Sequence, residues 1–142
     1  MGIHFNQQQT DLLFPFHLKV STDGMLIGYG KSIKKILPDI GLTAFNDYFQ
    51  ILEQQEEGII PFIETHLHQL VKISIKANQH IHLRGQFVFS QTDHFYVFLG
   101  SPAFNSIKEL EASNLDANDF AIQNPQIDLL NTLNGVAFTA CT

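Results

Sequence analysis

Cysteine is almost missing from this chain. The single Cys141 lies one residue from the end, which rules out an internal disulfide and suits a reducing compartment. Positive charge is scarce: 8 Lys and Arg stand against 14 Asp and Glu, giving a formal net charge of −6. The only basic run is Lys31-Ser32-Ile33-Lys34-Lys35. A phosphate-binding surface needs clustered cations, so nucleic acid is not an expected partner. No apolar run approaches the roughly 20 residues of a spanning helix. The N-terminus has no charged region followed by an apolar stretch, so no secretory signal is read. Met1-Gly2 opens like a myristoylation site, but Asn6 stands where Ser or Thr belongs. The expected location is the cytoplasm, with no membrane contact.

Catalytic signatures are missing too. Gly28 and Gly30 frame Tyr29, but Ile33 occupies the place of the third glycine of a dinucleotide fingerprint. Ser101 precedes Pro102 with no Gly-x-Ser-x-Gly elbow around it. Glu53, Glu56 and Glu57 fall in a solvated charge run, and Cys141 at a chain end is a bystander rather than a nucleophile. No catalytic residue is expected, and no cofactor.

Apolar material is plentiful. In 142 residues, 44% are hydrophobic, 13 are Phe and only 15% are charged, enough for one domain with a real core. A short helix is expected from Asn6 to Leu13, with Phe5, Leu12 and Leu13 on its apolar side. From Phe16 the period becomes two, placing Phe16, Leu18 and Val20 on one side and His17 and Lys19 on the other. Thr22-Asp23-Gly24 is a turn signal, and Met25 to Tyr29 reads as the second strand of a hairpin. Ser32 is placed as the N-cap of a short helix that Pro38 stops after Leu37.

From Leu42 to Leu52, Phe45, Tyr48, Phe49 and Leu52 recur at helical spacing, predicting a core-facing helical stripe. Pro61 opens a helix expected to run to about His68. Three strands follow. Val71, Ile73 and Ile75 alternate with Lys72, Ser74 and Lys76. After a turn at Ala77-Asn78-Gln79, Ile81, Leu83, Phe87 and Phe89 alternate with His80, His82, Arg84 and Gln86. His94 to Leu99 is nearly continuous apolar. Gly85 falls on the core side of its strand, where a missing side chain marks a bulge or a close approach. Ser106 and Glu109 fit a capping box ahead of Asn114, and Asn124-Pro125 opens a last helix carrying Ile127, Leu130 and Leu133 up to Gly135.

Two strands, small helices and three strands are the element order of a PAS-like α+β domain: a five-stranded antiparallel sheet with short helices on one face. The blocks Phe14-Pro15-Phe16-His17, Ile36-Leu37-Pro38, Leu83-Arg84-Gly85-Gln86, Phe98-Leu99-Gly100-Ser101-Pro102 and Leu110 through Asn114-Leu115 to Asp119 occur in one order. In that order the chain resembles the haem-NO-binding-associated (HNOBA) domain, a PAS-like module of soluble guanylate cyclases and of bacterial signal-transduction histidine kinases. The resemblance covers about Phe14 to Leu130. The family's Arg-Pro pair is replaced by Leu52-Glu53, and its Arg near the last helix is missing from Gln126-Ile127-Asp128-Leu129.

The resemblance implies a non-enzymatic regulatory domain that dimerises and relays a signal in a nitric-oxide/cyclase or histidine-kinase type system. Its implied partners are a second copy, a homologous HNOBA-containing chain, or a haem-NO-binding protein. The expected layout is an N-terminal cap segment 1–13, the PAS-like domain 14–130 and a tail 131–142 where a coiled coil would begin. The alternative is a small-ligand sensor. Haem-binding PAS domains use a histidine on the helix packed against the sheet, which would make His66 or His68 the axial ligand. His80 and His82 share a strand face, but a zinc site wants four ligands and no Cys is near. No metal is expected. The residues ahead of the first strand are too few to form a core of their own, so Phe5, Leu12, Leu13 and Phe14, with Val88 on the outer sheet face, are the expected dimer interface.

Overall fold

The alternating segments pair into one antiparallel sheet. In the computed structural model, which describes residues 6–53, 58–104, 107–113, 115 and 117–121, six strands are ordered β2-β1-β6-β5-β4-β3. They are β1 (Leu18–Ser21), β2 (Leu26–Tyr29), β3 (Phe49–Ile51), β4 (Val71–Ile75), β5 (Asn78–Ser90) and β6 (Phe95–Ala103). Four short helices accompany them: α1 (Gln7–Leu13), α2 (Ile33–Ile36), α3 (Ile59–Thr65) and α4 (Ile107–Ala112). The fold is α+β and PAS-like as expected, with six strands rather than five.

β1 sets the closure of the sheet. It pairs with β2 on one side and with β6 on the other, with Leu18 opposite Phe98 and Val20 opposite Tyr96. β5 and β6 form the long central ribbon, in which Leu83, Gly85 and Phe87 face Pro102, Gly100 and Phe98. Those residues lie on the inner face. Phe16, Phe45, Phe49, Phe87 and Phe98 are fully buried there, with Ile33 of α2 and Ile63 of α3 completing the cluster. Leu83 and Phe87 are buried as expected, while Phe89 is only partly so. Ring contacts run from Phe45 to Phe87 at 6.5 Å and from Phe87 to Phe98 at 5.3 Å.

Gly85 and Gly100 sit directly opposite each other. A Cβ on Gly85 would fall 2.5 Å from the Gly100 Cα and against the Leu99 carbonyl, and one on Gly100 would meet the Phe98 ring at 2.7 Å. The two backbones approach too closely for any side chain on that face.

Several expectations are corrected. The helical stripe over 42–52 is a 3₁₀ turn, Phe45–Asp47, followed by β3. The segment is recruited by partners elsewhere: the Thr43 carbonyl accepts from Leu26 N–H, the Phe45 N–H donates to Gly24, and Phe49 pairs with Ile75. Phe45 and Phe49 are both buried, with rings 5.3 Å apart, so they mimic helical spacing without a helix. Leu42 and Leu52 are 60% and 48% exposed. α3 begins two residues before Pro61 and ends at Thr65; His68, in the left-handed region at φ 63°, lies beyond it. The two-residue alternation starts only at Leu18, so His17 is not on the outer side: Phe14 to His17 form a turn, and His17 is fully buried. Ser32 holds the N-cap position of α2 but makes no side-chain cap bond; its hydroxyl donates to the Asp119 carbonyl instead. Ser106, Asn114 and the helix expected over 124–135 lie outside the described residues.

Candidate functional site

The outer face of the sheet follows from the same registers. Lys19, Val97 and Val88 form one cross-sheet row, with Phe95 on one side of Val97 and Leu99 on the other along β6. Val88, Phe95, Val97 and Leu99 are all partly buried. Further along, Lys72 stands opposite Arg84, and His82 opposite Ser74 and Ala103. One end of this face is therefore apolar and the other cationic.

α1 lies against the hairpin end of the sheet. Its start is fixed by a capping box: Asn6 Oδ1 accepts from the Gln9 N–H at 2.8 Å, and the Asn6 N–H donates to Gln9 Oε1 at 3.0 Å. Asp11 Oδ1 accepts the Lys31 backbone N–H at 3.2 Å, and Lys19 Nζ reaches Gln7 Oε1 at 3.5 Å while sitting 5.6 Å from the Phe95 ring centroid. No residue of α1 is buried. Of the interface residues expected from sequence, Leu12 is 57% and Leu13 36% exposed. Phe14 and Val88 are partly buried, and Phe5 lies outside the described residues.

The histidines are dispersed. His66 is partly buried, its ring stacked on Phe62 at 4.0 Å, with Nδ1 2.9 Å from both the Phe62 carbonyl and Thr65 Oγ1. His68 is exposed, and its N–H donates to the Phe87 carbonyl at 3.0 Å. His66 is the C-cap of α3, and His68 lies two residues beyond it. His82 is partly buried, and the side chain of His80 lies outside the described residues. Among the described residues no group of three His, Cys, Asp or Glu is placed to hold a metal ion.

Sequence reasoning missed one residue with unusual electrostatics. His17 Nδ1 is 2.8 Å from the Phe14 carbonyl, which fixes the proton on that nitrogen and leaves Nε2 a bare acceptor. Nε2 is buried and has no hydrogen-bond partner among the described residues. Desolvation by burial pulls the imidazole pKa below 6.5, Lys19 adds to this, and the Phe14 carbonyl and Asp11 oppose it. The Phe14-Pro15 turn is the only local signal that could have placed His17 indoors. On the other side of the core, the Tyr96 hydroxyl donates to Glu64 Oε1 at 2.9 Å, linking β6 to α3. Burial, then Glu64, raises the Tyr96 pKa.

No helix among the described residues is long and apolar enough to cross a membrane. The chain is similar to the guanylate cyclase soluble subunit alpha-1 of Bos taurus, 24% identical over 128 residues, 82% of this chain and 18% of that protein. It is similar to the guanylate cyclase soluble subunit beta-2 of Rattus norvegicus at 28% identity over 129 residues, 82% of this chain and 19% of that protein. The alpha-1 subunit of Canis lupus familiaris matches at 23% identity over 128 residues, with 82% and 19% covered. The chain thus spans less than a fifth of the length of the curated relatives it matches. The model of the family described as Heme NO binding associated matches residues 53–133, more than half of the chain, across α3, the β4–β6 ribbon and α4. With the sheet and helices arranged as above, this chain belongs to the haem-NO-binding-associated (HNOBA) domain family, a regulatory family of guanylate cyclases.

Proposed function

We propose that this domain acts without catalysis of its own, dimerising and relaying a signal to a cyclase or histidine-kinase output in the cytoplasm. The observation that supports this best is α1. A seven-residue helix is marginal in water without packing, yet this one buries no side chain and presents Leu12 and Leu13 to solvent. It stands beside an outer sheet face whose apolar end, Val88, Phe95, Val97 and Leu99, is only partly covered. A second copy docked through both features would bury them by two-fold symmetry, each subunit offering the same patch. A homologous HNOBA chain could take the same place, as could a haem-NO-binding protein acting upstream. The relatives are named as guanylate cyclase subunits, and regulation of such an assembly is the role we assign.

On this reading, 1–13 is a cap segment contributing to assembly, 14–130 the PAS-like domain and 131–142 a tail where a coiled coil would begin. Light scattering on the full chain and on a variant lacking residues 1–13 tests the proposal. The full chain is expected to be a dimer at micromolar concentration, and the truncated chain a monomer or an aggregate. A truncated chain that stays a stable dimer would place the interface elsewhere.

A further inference from the structure

The segment from Gly30 to Lys35 holds two parts of the chain that are far apart in sequence. On one side it faces the N-terminal turn and α1. The Gly30 N–H donates to the His17 carbonyl at 2.8 Å, the Ser32 N–H to the Pro15 carbonyl at 2.9 Å, and the Lys31 N–H to Asp11 Oδ1 at 3.2 Å. The approach is close: a Cβ on Gly30 would fall 2.5 Å from the Pro15 carbonyl carbon and 3.0 Å from His17 Nδ1. On the other side it grips the 3₁₀ turn Ala117–Asp119. The Ser32 hydroxyl donates to the Asp119 carbonyl at 2.5 Å, and Lys35 Nζ pairs with Asp119 Oδ2 at 2.6 Å. Phe120 and Ala121, just beyond, are buried, with the Phe120 ring 5.4 Å from Phe16.

The two grips alternate along a few residues of one backbone. Lys31 binds α1 and Ser32 binds the 117–121 strap, while Ile33 between Ser32 and Lys35 is fully buried in the core. Phe16 takes part on both sides, since it lies in the turn that Ser32 N–H holds and touches Phe120. Loosening one side frees the peptide units that position the other. A shared element of this kind gives each site a way to bias the other, and any such coupling is reciprocal.

We infer that Gly30–Lys35 is a joint through which α1 and the 117–121 strap are energetically coupled, so that fixing α1 on a partner also tightens the strap leading into residue 122 and beyond. The coupling itself is a property of one chain; only its use as a relay rests on the dimer reading above.

Amide hydrogen exchange followed by NMR on the full chain tests this in both directions. Asp11→Ala, on the α1 side, is expected to speed exchange at Phe120 and Ala121 by roughly three- to tenfold. Lys35→Ala, on the strap side, is expected to speed exchange at Thr10 and Phe14 by a similar factor, and Lys35→Arg to restore it. Lys108→Ala, at an exposed lysine of α4, should change neither. Ile73 and Ile75 in β4 report global stability and should stay constant. Effects confined to the substituted side, or a uniform rise that includes β4, would overturn the joint. Light scattering on the same samples separates the two claims. Cross-talk in a monomeric chain keeps the joint and removes the dimer reading, whereas a dimer without cross-talk does the reverse.

Discussion

The two faces of the β5–β6 ribbon are made by neighbouring residues of the same strands, yet they are finished differently. On the inner face, Leu83, Phe87 and Phe98 are fully covered by the chain's own helices and turns, and Tyr96 nearly so. On the outer face, Val88, Val97 and Leu99 are left partly covered, and Arg84 and Gln86 are exposed. The inner face is complete within one chain, and its job is to hold the sheet together. The outer face has apolar surface that the chain does not finish covering, so its side chains are available for assembly. Substitutions one residue apart should therefore separate stability from association.

Phe87→Ala is the largest test of this division. It removes a ring packed between Phe45 and Phe98 and should cost about 3–5 kcal/mol in urea unfolding, as other buried Phe truncations do. Val88→Ala, one residue along and on the other face, should cost under about 1 kcal/mol. Comparable losses at the two positions would show that the faces are not distinct.

Gly85→Val comes next. The new side chain collides with the Leu99–Gly100 backbone rather than with a pliable side chain, so the strands must part. A loss of about 1–3 kcal/mol or more is expected, as for overpacked cores. Arg84→Ala, whose side chain points outward, should fall within about 0.5 kcal/mol of the parent. Denaturant midpoints of the two variants compare the faces at a single step along β5.

The central ribbon was legible from sequence because its side chains obey a local rule. Val71, Ile73 and Ile75, then Ile81, Leu83 and Phe87, alternate over enough residues for the period to be read, and all are buried. The same count puts Gly85 on the core side, where the Leu99–Gly100 backbone presses against it. Where packing is set by distant partners, the local period misled. Phe45 and Phe49 have helical spacing, but β3 forms because Ile73 and Ile75 offer it an edge. His17 lies inside because the strand begins at Leu18, two residues after the point where the sequence pattern turns to period two. The Gly30–Lys35 joint was invisible, since Ser32 and Asp119 are brought together from opposite ends of the domain.

His17 sharpens the comparison from the edge of the core. Its unfolded-state pKa lies near 6.5 and its folded-state pKa below that, because the buried ring has nothing to accept a proton's hydrogen bond at Nε2. Above pH 6.5 both states are neutral and the full stability is present. As pH falls from 6.5 toward the folded value, the unfolded chain takes up a proton and the folded chain does not, so stability drops. The slope cannot exceed about 1.4 kcal/mol per pH unit for one group, and it levels off below the folded pKa. In His17→Gln this component of the slope should vanish, whatever the change in stability at pH 8. Thermal unfolding of both proteins between pH 5 and 8 gives the difference, and parallel profiles would mean that His17 does not sense its burial.

The smallest effect on stability is expected where the effect on assembly is greatest. Leu12 and Leu13 are exposed in the single chain, so replacing both with Asp removes little packing within it, and unfolding of the monomer should change by no more than about 1 kcal/mol, part of it from carboxylates placed at the helix C-terminus. At an interface the same change places two carboxylates where two apolar side chains would be buried, and buried charge without a partner is strongly unfavourable. The double variant Leu12→Asp, Leu13→Asp should therefore run as a folded monomer at concentrations where the parent is a dimer. Because denaturation of a dimer depends on concentration, the comparison has to be made at several. The parent's midpoint should rise with protein concentration and the variant's should not. If the variant loses several kcal/mol as a monomer, α1 packs more tightly on its own sheet than its exposure indicates. If it remains a dimer with an unchanged midpoint, the outer face is closed by something other than α1.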